Sequence, residues 1–253
     1  MDRAGPATQI ADEVREVDPL PDAPRGGVSV VIPVHNEAGA IAGVVRDASA
    51  HTPSLVEVLV VDDGSTDGSA DAARTAGARV VRLERNGGKG RALRRGIEEA
   101  AGEILVFLDG DGQDDPAEIP ALVVALEPHV DMVIGSRFLG RFEDGSITPL
   151  NRFGTRMLTA VFNGLYRSRI SDPIAGFRVV RKAALADCAL DADRYDIEVE
   201  VLAALLQRRR TVIEIPVARY RRPHGKTDLS SIRDGWRILR RILARRVGLG
   251  WTS

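Results

Sequence analysis

The chain has 253 residues, 44% of them hydrophobic and 28% charged, with a formal net charge of −1. That length fits one large α/β domain or two small ones, and the near-neutral balance excludes a general nucleic-acid binder. The one cysteine, Cys188, excludes an internal disulfide, fits a reducing compartment and leaves no Cys/His cluster for structural zinc. Residues 1–27 are rich in Pro and Gly without lasting periodicity, which predicts a flexible leader with a short helix near 10–17. "VSVVIP" (28–33) then reads as a buried strand, followed by a helix over 37–51. "VEVLVVDD" (56–63) is a second strand, with a short helix after it that stops at Gly77. "ARVVRL" (78–83) is a third strand and 89–101 a helix. "EILVFLD" (103–109) is a fourth strand, 116–126 a helix, and "VDMVIGS" (130–136) a fifth strand. Strand and helix alternate through short connections, so the expectation is an α/β fold. A mostly parallel central sheet would carry helices on both faces.

The second half is less regular. A helix is expected over 149–166, then a loop and strand in "DPIAGFRVV", and a helix over 196–207. "TVIEIPVARY" reads as an extended pair broken at Pro216. From Arg208 to Arg246 there are thirteen Lys and Arg against three acids. A last helix over 229–246 carries Leu229, Ile232, Trp236, Leu239 and Leu243 at alternating three- and four-residue spacing, hence one apolar face. Two readings stand for it. Leu229, Ile232 and Trp236 pack on the domain, with Arg233, Arg237, Arg240 and Arg241 solvated; or the helix is a basic amphipathic element on an anionic membrane. No apolar run approaches the roughly 20 residues that span a bilayer. The expected location is the cytoplasm, or the cytoplasmic face of a membrane.

In sheets of this kind ligands bind beyond the carboxyl ends of the strands. The polar clusters "HNE", "DDGSTDG", "RNGGKG" and "DGDGQDD" follow the first four strands and should converge on one edge. Asp109, Asp111 and Gln113 offer two carboxylates and an amide oxygen, hard ligands suited to Mg²⁺ or Mn²⁺. Such ions keep positions for substrate phosphates, and a nucleoside diphosphate fits that coordination. Asp114 and Asp115 are expected to cap the helix that starts at Pro116. The turn Asn86–Gly90 opens a helix whose N–H groups suit an anion. It lacks the spacing of a P-loop, and no GxGxxG is present, which counts against an ATPase or a dehydrogenase.

The segments "VVIPVHNE", "VVDDGSTDGS", "NGGKGRALRRGIEEAAGEILVFLDGDGQDDP", "DMVIGSRF" and "DPIAGFRVVRK" occur in that order. Together they resemble the inverting glycosyltransferases of family two, in particular the dolichol-phosphate (polyprenyl-phosphate) mannosyltransferase-like branch. The resemblance covers about residues 28–227 and implies the GT-A (nucleotide-diphospho-sugar transferase) fold, with 228–253 as a C-terminal basic amphipathic helix. It also implies roles for single residues. Pro33, His35, Glu37, Asp62 and Asp63 match the nucleotide-cradling segments, although the branch usually has Tyr where His35 stands. Lys89 matches a residue near the nucleotide or diphosphate. Asp109, Asp111 and Gln113 match the metal set, with Asp111 also counted as catalytic. Arg137, and Arg152 with Arg156 as its alternate, resemble arginines that receive the acceptor phosphate. "RRPHGKTDL" resembles a late "RxxGxSK" segment, placing Arg222 and Lys226 near the diphosphate, with Thr227 a departure from the expected order.

The donor implied is GDP-mannose or a UDP-hexose, mannose being the favoured sugar, and the acceptor a polyprenyl phosphate. A phosphate acceptor is already anionic near neutral pH, its second pKa being about 6. It needs arginines to hold it in line rather than a strong base. An alternative keeps the donor and takes a soluble hydroxyl acceptor. That chemistry needs a carboxylate base, for which Asp172 or Glu198 is available; His35 and His224 are bases in principle. A non-catalytic nucleotide-sugar binding module is a further alternative, and it would require broken metal carboxylates, which here are whole.

Overall fold

Two alternating apolar sets along each central strand decide the architecture. Val31, Leu59, Val61, Leu105 and Phe107 enter one buried cluster, while Val30, Ile32, Val60, Ile104 and Val106 enter another. Successive strand side chains point to opposite faces, so a strand apolar at every position must be covered on both. The computed structural model describes residues 27–225 and 231–246. Residues 1–26 of the expected leader, Lys226, Thr227 and Leu229 lie outside those residues.

The elements in chain order are β1 (Val28–Val34), α1 (Ile41–His51), β2 (Leu55–Asp62), α2 (Ser69–Thr75), β3 (Arg79–Arg82), α3 (Lys89–Glu99), β4 (Ile104–Phe107), α4 (Ile119–Ala125), β5 (Met132–Phe142), α5 (Pro149–Tyr166), β6 (Arg178–Arg181), α6 (Lys182–Leu185), α7 (Ile197–Gln207), β7 (Val212–Arg219) and α8 (Ser231–Arg246). The strands form one seven-stranded sheet in the order β3-β2-β1-β4-β6-β5-β7. β1 pairs in parallel with β2 and β4, and β5 in parallel with β7. β6 alone runs antiparallel, between β4 and β5. The order of β1 to β4 places the loops after β1, β2 and β4 side by side on one edge.

Several local expectations are corrected. Pro216 does not break an extended pair: β7 is one strand through it. β7 is the edge of the sheet, where a missing N–H is tolerated, and the irregularity falls in its partner. β5 shifts register between Ser136 and Arg141 while β7 advances only from Pro216 to Ala218. Gly140 sits in that shift, and a Cβ there would come within 1.9 Å of the Val217 carbonyl oxygen, so the close approach excludes any side chain. The helix after Asp115 begins as a short 3₁₀ turn over Pro116–Glu118, capped by the Asp115 carboxylate, which accepts from the Ala117 N–H at 2.9 Å. Asp114 does not cap it; it is buried against Arg219 at 2.7 Å.

The largest correction concerns α8. The expected packing face points outward: Ile232 is 72% exposed, Trp236 63% and Leu243 46%. The buried side is formed by Ile238 and Ile242, which join the core cluster, and by Arg241. Its guanidinium is paired with Asp196 at 2.8 Å and Glu200 at 3.0 Å on and beside α7. Exposed apolar residues on α5, Leu150, Phe153, Met157 and Val161, lie on the helix that packs against α8.

Candidate active site

A cavity of about 230 Å³ opens at the carboxyl edge of the sheet. Pro33 of β1 and His35 and Glu37 of the turn after it reach the cavity, and the turn after β4 contributes Asp109, Asp111 and Gln113. Gly112, at φ +71°, bends that turn. Lys89 enters from the start of α3, Arg137 from β5, Glu198 from α7, and Arg219 and Arg222 from the end of β7 and the loop after it.

The crowded carboxylates of the β4 turn are compensated by the protein's own cations. Lys89 Nζ lies 2.6 Å from Asp109 Oδ1 and 2.6 Å from Glu198 Oε1. Burial works to lower the Lys89 pKa, but the two carboxylates outweigh it and hold the ammonium well above its ordinary value. Asp109 is opposed by burial, yet Lys89, then Arg219 and Arg137, bring its carboxyl below the usual range. Asp111 differs. Burial, with Asp109 and Asp114 nearby, pushes it up despite Arg219. Arg222 Nη1 reaches Asp111 Oδ2 at 3.2 Å and pairs through its other nitrogen with Glu37. Arg219 lies 3.8 Å from Asp111.

Other predicted residues are placed as follows. Asp63 accepts from the N–H groups of Gly87 (2.9 Å) and Gly88 (2.6 Å), so the turn amides expected to suit an anion already hold one. His35 donates its Nδ1–H to the Asp63 carbonyl oxygen at 3.0 Å. Asp62 is fully buried behind this layer, accepting from the Ser65 N–H at 2.9 Å and pairing with Arg82 at 3.2 Å; it does not line the cavity. Gln113 lines it with its amide engaged, donating to the Tyr220 carbonyl and accepting from Arg219, each at 3.0 Å. Arg137 forms a two-pronged pair with buried Asp172 at 2.7 and 2.8 Å. Arg152 and Arg156 do not reach the cavity. They are exposed on α5, 5.4 Å above the Phe142 ring and 5.9 Å from that of Phe138. Arg178, buried beneath the site, donates to the carbonyls of Ala175, Glu198 and Pro173, and burial pushes its pKa down to about 10.

Sequence reading missed Arg219, Arg194, Tyr195 and Arg233, all of which line the cavity. Arg219 had one available signal, its place at the carboxyl end of β7. The other three come from the loop before α7 and from the first turn of α8, where nothing local points to a site.

The residues present fit a divalent cation. Two hard carboxylates, Asp109 and Asp111, face the cavity, and Mg²⁺ or Mn²⁺ is commonly held by one or two such groups plus substrate phosphates. Among the described residues no group of three or more His, Cys, Asp or Glu forms a closed cage. Gly176 guards the Lys89–Asp109 pair: a Cβ there would lie 2.9 Å from Lys89 Nζ and 3.1 Å from both Asp109 oxygens. Gly176→Ala is therefore expected to displace the pair and lower activity about tenfold while thermal unfolding barely moves. Unchanged initial rates for the variant would count against this placement.

The sequence model of Glycosyl transferase family 2 matches residues 29–189. Glycosyltransferase AglJ of Haloferax volcanii is 34% identical over 229 residues, covering 90% of this chain and 73% of that protein. The undecaprenyl-phosphate 4-deoxy-4-formamido-L-arabinose transferase of Pseudomonas fluorescens is 32% identical over 81% of this chain, which spans only 61% of that protein. Among solved structures, glucosyl-3-phosphoglycerate synthase from Mycobacterium tuberculosis, in complex with Mn²⁺, UDP and glucosyl-3-phosphoglycerate, superposes with a TM-score of 0.72 at 25% identity. The match covers 89% of this chain and 81% of that one. The fold is thus the GT-A fold.

Proposed function

The chain belongs to glycosyl transferase family 2, and from that premise we propose that it moves a hexose, mannose first, from a nucleotide-diphosphate sugar to a polyprenyl phosphate. The donor is GDP-mannose or a UDP-hexose. Mg²⁺ or Mn²⁺, held by Asp109 and Asp111 with Gln113 beside them, would supply positive charge for the leaving diphosphate. Lys89 and Arg222 stand next to those carboxylates and add to that charge. Pro33, His35, Glu37 and Asp63 border the space for the nucleotide. The acceptor oxygen forms the new bond to the anomeric carbon as the bond to the diphosphate breaks on the opposite face, which inverts the configuration.

The observation that carries this reading is the state of the two acids available as bases. Asp172 is bound in a two-pronged pair by Arg137, and Glu198 holds Lys89. Both Asp172 oxygens are committed to Arg137, and Glu198 is tied through Oε1 to a cation, so neither acid stands as a free base; a phosphate acceptor requires no proton to be removed. The names of the undecaprenyl-phosphate relatives agree with such an acceptor. A second reading, a soluble acceptor, is favoured by the structural likeness to a glucosyl-3-phosphoglycerate synthase. Among the described residues no helix is long and apolar enough to cross a membrane. The proposal extends to a peripheral contact with the cytoplasmic face of an anionic membrane through α8, whose Ile232, Trp236 and Leu243 are exposed beside Arg233, Arg237 and Arg240.

The test is a donor screen with several nucleotide sugars and Mn²⁺, with and without a polyprenyl phosphate, products being read by mass. A glycosyl phospholipid is the expected product. Transfer to a soluble alcohol without transfer to the lipid would overturn the first reading.

A further inference from the structure

Three cavities meet at the first two turns of α8. The site cavity shares Arg194 and Arg233 with a second, larger groove of about 700 Å³. It shares Ile174, Asp234 and Ile238 with a third, of about 280 Å³, that runs between α5 and α8. The third is mostly apolar, bordered by Leu150, Met157, Leu158, Ile232 and Trp236, with Asp234 where it meets the site cavity.

The cations around the site are not equivalent. Lys89, Arg137, Arg219 and Arg222 are each held by at least one carboxylate. Among the described residues Arg194 and Arg233 have no such partner, and both are exposed at the mouth of the cavity. The acids of the second groove are already used: Asp196 and Asp191 by Arg241, Asp193 by Arg94. Among the described residues, an arriving phosphate therefore meets two guanidinium groups that hold no carboxylate. The arginines expected to receive it are less available, Arg137 being locked to Asp172 and Arg152 and Arg156 lying over aromatic rings outside the cavity.

We propose that Arg194 and Arg233 bind the phosphate of the acceptor and that the α5/α8 groove takes the first isoprenoid units of its tail. This rests on the glycosyl-transfer reading and deepens it. Ile232 and Trp236 flank Arg233 on α8, so charged head and apolar tail are read by one helix. A phosphate on an apolar chain matches both features; a small phosphorylated metabolite matches only the first.

Titration calorimetry with geranyl phosphate and with inorganic phosphate tests it, on the wild type, an Arg194→Gln/Arg233→Gln double variant and Gly154→Trp. Gly154 borders the apolar groove, and a Cβ there meets nothing within 4 Å, so a side chain can leave the helix at this point, and the indole is expected to occupy the groove. The double variant is expected to lose about tenfold or more in affinity for both phosphates. Gly154→Trp is expected to lose affinity for geranyl phosphate alone. Wild-type affinity for geranyl phosphate in either variant, or no binding by the wild type, would overturn the proposal. A transfer assay separates the two levels. If the wild type glycosylates geranyl phosphate and both variants keep its KM, only the subsite assignment fails; if it glycosylates no phosphate acceptor from any donor, the polyprenyl-phosphate reading itself fails.

Discussion

Asp111→Asn is expected to abolish Mn²⁺ binding and to lower sugar transfer about a thousandfold, with the fold intact. Asp111 faces the cavity with Asp109, and these are the two carboxylates that suit the ion. Removing one halves the anionic donor set, and the remaining amide oxygen competes poorly with water for a hard cation. The fold tolerates the change because no buried cation loses its last partner. Arg222 keeps Glu37, and Arg219 keeps Asp114 at 2.7 Å. Loss of Asp111 also relieves crowding with Asp109 and Asp114, which help to push its carboxyl above the usual range. Unfolding free energy should therefore move by less than about 1 kcal/mol. Electron paramagnetic resonance of free Mn²⁺, circular dichroism and product mass measure the three consequences separately. Full transfer by the variant would refute the metal assignment. The raised carboxyl adds a pH signature to the wild type: protons compete with the ion at a higher pH than at an exposed aspartate, so Mn²⁺ affinity falls early on acidification.

The parts of the fold that were legible in the sequence are those fixed by local pattern. The buried runs of β1, β2 and β4 announce themselves because both faces are covered. α5 was legible from end to end, with Thr148 capping through the Asn151 N–H and Pro149 at the first helical position. The convergence of the β1, β2 and β4 loops followed from the alternation of strand and helix. α8 shows where such reading stops. Its sequence holds two apolar ridges, Ile232/Trp236/Leu243 and Ile238/Ile242, and periodicity favours the longer one. The choice is made by Arg241, whose pairs with Asp196 and Glu200 span more than forty positions. The same holds for Asp114. An acid before Pro116 reads as a cap, and only the return of β7 brings Arg219 to it. Arg194 and Arg233 were invisible for the same reason: each enters the cavity through the packing of α7 and α8, with no local motif to mark it.

The second large effect is expected at Lys89. Its side chain is 15% exposed and bridges Asp109 and Glu198, themselves 23% and 6% exposed. Lys89→Met keeps the volume and removes the charge, leaving two carboxylates facing each other in a mostly dehydrated site. Breaking a buried pair in this way should cost about 3 kcal/mol of unfolding free energy at neutral pH. The pH dependence reverses sign with it. In the wild type the Asp109 pKa is depressed and the Lys89 pKa raised. The pair's contribution is then present above the unfolded aspartate pKa of about 3.9 and below the unfolded lysine pKa of about 10.4. It is lost as pH falls through the depressed value or rises through the raised one. In the variant only Arg219 and Arg137 still lower the Asp109 pKa, and burial, the largest influence, together with the facing carboxylate is expected to raise it above the unfolded one. The folded state then binds the proton more tightly than the unfolded chain does, and acidification from pH 7 toward pH 5 stabilises it. The gap between the two proteins should therefore narrow as pH falls. Urea unfolding at pH 5 and pH 7 measures that gap, and an equal gap at both would show that Lys89 does not compensate these carboxylates.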